Sequence, residues 1–209
     1  MQKIMFNDKY GLTAAVLEGR KTMTWRLLPQ DKIDGRWDYN SYYDYCLKCK
    51  RLGKNEITWD EWLILHHGKY KVGEVVAVAQ PYKETHPNAD FMRIGDEFIT
   101  ESAGWNNKMF VRADLMPHQI RITDIKVERL QDISDKDCIR EGLWRLAGTS
   151  LYHYDVSILR KGRNLYHTPR EAFAALIDKV SGNGTWKRNP WAIRYYFELW
   201  KQQWKEAAV

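Results

Sequence analysis

The sequence predicts an α+β fold: a small, mostly antiparallel β-barrel flanked by short helices, with helical and irregular insertions. Three observations predict it. The segments that read as strands are not separated regularly by long helices, which argues against a doubly wound parallel sheet. One long strand-like run, HQIRITDIKVERL (118–130), changes parity: Ile120 and Ile122 share one parity, Ile125 and Val127 the other. Such a slip is what a β-bulge or a barrel corner looks like in sequence. Finally, the chain has 209 residues, 44% hydrophobic and 29% charged, enough for one sizeable core. We read 1–209 as one domain with insertions at about 31–69 and 144–167.

Tyr10–Glu18 reads as a short helix, because Leu12, Ala15 and Val16 recur at helical spacing and Gly19 follows as a stop. Lys21–Leu28 reads as a strand, with Thr22, Thr24 and Arg26 on one face and Met23 and Trp25 on the other. Residues 31–69 are crowded with Tyr, Trp and charge. They carry a helix around Trp59–His66, for which Thr58 and Glu61 form a capping box. KVGEVVAVAQPY (71–82) and KMFVRA (108–113) read as strands. Ser134 opens a short helix ending at Glu141, with Gly142 after it. Residues 144–167 look irregular. Thr168-Pro169-Arg170-Glu171 starts a helix that Gly182 closes, and AIRYYFEL (192–199) alternates as a last strand.

Lys plus Arg exceed Asp plus Glu by 33 − 27 = 6, which permits a polyanionic partner without requiring one. Ten Trp and twelve Tyr can fill a core or present faces on which bases stack. Cys46, Cys49 and Cys138 are too few for a disulfide framework, and the N-terminal MQKIMFNDKYG has no long apolar stretch. Both point to a cytoplasmic protein with no membrane partner. The phosphate loop, the HExxH zinc motif and the G-x-S-x-G elbow are missing, which argues against an ATPase, a zincin and an α/β-hydrolase.

Four stretches carry a family resemblance: AAVLEGRKTMTWR, YKVGEVVAVAQPY, IRITDIKVERLQDISDKDCIREGL and TWKRNPWAIRYYFEL, in that order. The chain resembles the ASCH domain, a branch of the PUA-like superfamily, in its larger phage and bacterial members. GRKT-x-T-x-R and ERLQDIS…D…EG are its most specific parts, and residues 31–69 and 144–167 fall outside it. Trp25-Arg26 stands where larger members usually carry two adjacent arginines. The resemblance implies a PUA-like barrel with a cleft between barrel and helices that takes RNA or a modified nucleoside, without a cofactor. Some compact ASCH proteins are amidohydrolases that remove the acetyl group from N4-acetylcytidine, and a ribonuclease activity, here metal-independent, is the further alternative. By motif position the site is Lys21, Thr24 and Glu141.

The chemistry of these residues suits that reaction. Thr24 supplies a hydroxyl nucleophile once a base takes its proton. Lys21 is that base if burial, or its neighbours Arg20 and Arg26, lowers its pKa. Glu141 returns a proton to the leaving amine or accepts from the N4 amino group. Two points of geometry need the fold. Lys21 and Thr24 have opposite parity in a strand, so both reach one pocket only if Lys21 sits in a corner before the strand settles. A glutamate in the last turn of a short helix is ordinarily solvated, and that position opposes the helix dipole.

Arg20, Thr22 and Arg26 are expected to contact ligand, as are Trp186, Lys187 and Arg188, where cations flank a stacking surface. Arg160, Lys161 and Arg163 form a second basic cluster, and Trp191 lies near the first. Cys46 and Cys49 make a zinc half-site, but His66 and His67 are adjacent and point apart, so no metal is expected. Trp59, Trp62, Trp200 and Trp204 read as packing residues.

Overall fold

A computed structural model describes residues 1–34, 37–154 and 165–200. In chain order the elements are β1 (Lys3–Ile4), α1 (Leu12–Leu17), β2 (Met23–Leu27), α2 (Gln30–Asp34), α3 (Trp37–Arg51) and α4 (Trp59–His67). Then come β3 (Val75–Val78), α5 (Tyr82–Thr85), β4 (Arg93–Ile94), β5 (Glu97–Phe98), β6 (Gln119–Arg129) and α6 (Asp135–Arg140). The last are β7 (Trp144–Arg145), β8 (Tyr152–His153), α7 (Pro169–Ser181), α8 (Thr185–Arg188) and β9 (Trp191–Trp200). The fold is mixed α+β.

Five strands form one sheet in the order β1-β3-β6-β9-β2. Only the β1–β3 pair is parallel; the other three pairings are antiparallel. The long β6–β9 ladder is the spine. Its register shifts between Ile122 and Asp124, so the parity slip in the sequence is a bulge.

The sheet is open among the described residues, which corrects the expected closed barrel. No ladder joins its edge strands β1 and β2. The reason is visible at the free edge of β2. There the Trp25 N–H donates to Glu141 Oε1 at 2.9 Å instead of to the carbonyl of a closing strand. The Arg26 side chain spans the seam, with Nη2 donating to Met5 O at 2.8 Å.

Aromatic residues of α3 and α4, among them Tyr42, Trp59 and Trp62, pack against one another. The Trp59 and Trp62 rings stack at 5.4 Å and His66 stacks on Trp62 at 4.0 Å. Tyr42 meets Trp59 edge-on at 5.3 Å. Edge and offset contacts of this kind add to apolar burial, so these rings spend their faces on the protein itself. Thr58 and Glu61 form the expected capping box of α4, and Thr168 and Glu171 that of α7.

The strand expected at KMFVRA is absent; two short 3-10 turns, Lys108–Phe110 and Ala113–Leu115, stand there. The Lys3 ammonium donates to the carbonyls of Met109 and Val111 at 2.7 and 2.6 Å. Those acceptors are therefore held by a side chain and not by a neighbouring strand. Val111 and Met116 join Ala77, Ala79, Tyr82 and Ile99 in a small second core. Trp200 is half-buried beneath Arg121, whose guanidinium lies 3.3 Å from the ring centroid. Trp204 lies outside the described residues.

Candidate functional site

A cleft of about 370 Å³ opens at the seam between the two edge strands, within the size range of small-molecule sites. Lys21, Thr24 and Glu141 line it together with Arg26. Apolar walls come from Phe6, from Leu12 of α1 and from Phe173, Leu176 and Ile177 of α7.

Local sequence explains why Lys21 reaches it. Gly19 has φ +73°, a conformation glycine adopts without strain, and the chain reverses there at the end of α1. The Lys21 N–H then donates to Ala15 O at 2.8 Å and the Thr22 N–H to Arg140 O at 2.9 Å. Pairing with β9 begins only at Met23. Lys21 therefore occupies the corner that its parity requires, and Thr24 follows in the strand.

Glu141 follows the last helical residue of α6, which Ser134 caps at the other end by accepting from the Asp137 N–H. It is 5% exposed and Lys21 is 1% exposed. Glu141 is thus not solvated, unlike an ordinary glutamate at the end of a short helix. The Lys21 ammonium donates to Glu141 Oε2, and also to the Glu141 main-chain carbonyl at 3.0 Å. Burial pulls the Lys21 pKa below its ordinary value; Glu141 opposes that shift and Arg26 adds to it. Burial raises the Glu141 carboxyl, against the pull of Lys21, the Trp25 N–H and Arg26. The two shifts converge. Transfer of the proton from lysine to glutamate, leaving a neutral amine and a neutral acid, is thereby made easier than in water.

Thr24 is buried and lines the cleft, and its hydroxyl has no hydrogen-bond partner among the described residues. The two bonds of Lys21 Nζ go to Glu141 and not to Thr24.

The remaining expected residues divide. Arg26 lines the cleft. Arg20 does not: it pairs with Glu18 at 2.7 Å and lies 3.5 Å from the centroid of the Trp144 ring. Thr22 lines a separate depression with Arg140, Lys126 and Tyr196. Trp186 meets Phe173 edge-on at 6.0 Å and so stands behind the cleft wall. Lys187 and Arg188 are exposed, and Arg188 donates to Thr185 Oγ1 at 2.9 Å. Trp191 lies under Arg129. Arg160, Lys161 and Arg163 lie outside the described residues. Of the zinc candidates, His67 is paired with Asp38 at 3.0 Å, and no group of three metal-type ligands occurs among the described residues.

Sequence reasoning missed three contributors. Phe173, Leu176 and Ile177 were legible as a helical apolar stripe but not as a cleft wall. Gly142 has φ +98°, and a Cβ there would meet the Cβ atoms of Ala15 and Lys21 at 3.2 and 3.3 Å. Arg194, buried in β9, carried no local signal of a role.

Compared with known proteins, the chain matches no family model, no curated protein and no solved structure. Among the described residues no helix is long and apolar enough to cross a membrane.

Proposed function

We propose that the seam cleft binds a modified nucleoside and that the chain is an ASCH-type amidohydrolase removing the acetyl group of N4-acetylcytidine. The observation that carries this reading is the convergence of Lys21, Thr24 and Glu141 on one cleft, with the lysine and glutamate paired and buried. The walls are apolar and the polar groups are few and convergent, as in small-ligand sites. A cleft volume of about 370 Å³ suits a single nucleoside better than a length of polymer.

Lys21 gives a proton to Glu141 and becomes a neutral amine. Thr24 Oγ attacks the acetyl carbonyl carbon while its proton passes to Lys21. The bond from that carbon to N4 breaks as Glu141 protonates the nitrogen, and cytidine leaves. Water then attacks the threonyl ester by the same proton path, restoring the Thr24 hydroxyl and releasing acetic acid, which loses its proton to solvent as acetate. Held geometry and a water-poor site supply the acceleration.

The test is mass spectrometry of N4-acetylcytidine incubated with the wild type, Lys21→Ala and Thr24→Ala. Cytidine released by the wild type alone supports the reading. No release by a folded wild type removes the hydrolase and leaves binding of RNA or a modified nucleoside, which equilibrium binding at rising salt then measures.

A further inference from the structure

Arg194 is 5% exposed in the middle of β9, where an arginine is rare unless paired. Its Nη1 donates to Asp137 of α6 at 3.1 Å and its Nη2 to Glu128 of β6 at 2.9 Å. The guanidinium lies 5.5 Å from the centroid of Trp25 and 4.8 Å from that of Tyr196. Asp137 is braced on its own helix as well. It accepts from the Ser134 hydroxyl at 2.9 Å and from Arg140 Nη1 at 3.2 Å. Its main-chain carbonyl accepts the Glu141 N–H at 3.1 Å.

A continuous path of bonds therefore runs from the central sheet through Arg194 and Asp137 to Glu141, and from there to Lys21 and the Trp25 N–H. A helix of six residues is not stable by itself, so its seat depends on what grips it. Stability alone does not explain the grip. A buried ion network is often no more stabilising than a well-packed apolar replacement, whereas it fixes geometry closely.

We propose that Arg194 is the positioning residue of the cleft: by gripping Asp137 it sets the end of α6, and with it the place of the Glu141 carboxylate against Lys21 and β2. This rests on the reading that the Lys21–Glu141 pair is the working part of the site. Arg194 acts through Asp137 and touches no substrate.

The test reads Lys21 directly, by ¹³C NMR titration of its ε-carbon in lysine-labelled protein, with Lys21→Arg assigning the signal. Glu141 faces Lys21 and raises its pKa, and Arg26 lowers it. Arg194→Met and Asp137→Asn should each move the Lys21 midpoint down toward that of Glu141→Gln. Neither should move it further in the Glu141→Gln background. In turnover of N4-acetylcytidine both should lower kcat more than they change KM, a misplacement of about 1 Å costing on the order of 10²-fold. A Lys21 midpoint unchanged in both variants overturns the proposal, as does an equal shift on top of Glu141→Gln. If Arg194→Met does not fold, Asp137→Asn decides by the same criteria. A wild type without turnover overturns the hydrolase reading, and the titration still judges Arg194.

Discussion

The Lys21 ammonium donates to both the side chain and the main-chain carbonyl of Glu141, and the same carboxylate takes the Trp25 N–H. One glutamate thus secures a buried lysine and the free edge of β2 together. Removing either member strands the other charge in a dry site. Glu141→Ala should destabilise the fold by about 3–5 kcal/mol, as breaking a buried pair commonly does. Lys21→Met in that background should cost much less than it does alone. Urea denaturation of the four proteins measures the coupling, and additive losses would show that the pair is not energetically linked.

The pH dependence follows from the pKa directions. Burial is the largest influence on Lys21 and favours its neutral form, so the proton leaves below the ordinary 10.5. Turnover uses the one proton that Lys21 and Glu141 share, so it should fall as pH rises through the Lys21 midpoint, below 10.5, where that proton is lost. Glu141→Gln removes the partner that raises the lysine pKa, so the residual activity should show a still lower midpoint. Rate profiles of both proteins check this, and a wild-type midpoint at or above 10.5 would exclude lysine as the base.

Thr24 tests the nucleophile. Thr24→Ser keeps a hydroxyl in the cleft and should retain part of the turnover. Thr24→Ala should abolish turnover and still bind the nucleoside. Acyl-protein detected by mass spectrometry in the wild type and missing in Thr24→Ala would identify the ester. Equal turnover by Thr24→Ala would show that water attacks directly.

Gly142 lets the end of α6 press against α1 and the corner that carries Lys21. Its φ of +98° and the 3.3 Å approach to Lys21 Cβ both oppose a side chain. Gly142→Ala should therefore cost about 1 kcal/mol or more and lower turnover by displacing Lys21. Thermal denaturation beside the rate assay reads both, and an alanine variant of unchanged stability and rate would refute the close packing.

Cys138, on the buried side of α6, has its thiol pushed up from 9.0 to about 12 by burial. A group whose folded pKa is raised keeps its proton in the native state after the unfolded chain has lost it. Its contribution is complete below pH 9.0 and is lost as pH climbs toward about 12. Stability in urea should fall across that window, with a shallower slope in Cys138→Ser. The native thiol should also resist alkylation, and rapid labelling of the folded protein would contradict the burial.

What lay within one or two turns of chain was legible. Thr58 with Glu61, and Thr168 with Glu171, announced their helices because both partners of a capping box are three residues apart. The parity change around Thr123 announced the bulge because side-chain direction alternates strictly along a strand. KMFVRA misled for the opposite reason. Val111 serves a small core that also takes in Ala77 of β3, Met109 and Phe110 stay exposed, and a lysine from the far N-terminus holds the Met109 and Val111 carbonyls.

By itself, the sequence determined the local punctuation, the mixed α+β class, the antiparallel bias and a short list of chemically able residues. Only the tertiary structure decided that Lys21 and Glu141, separated by 120 positions, are a buried pair. It alone set Thr24 beside that pair in the cleft, left Arg20 and Thr22 outside, and kept the sheet open. Propensity, capping and alternation are carried by neighbours in sequence. The partner of a buried charge is chosen by which distant segments the sheet brings together, and no spacing along the chain encodes that choice.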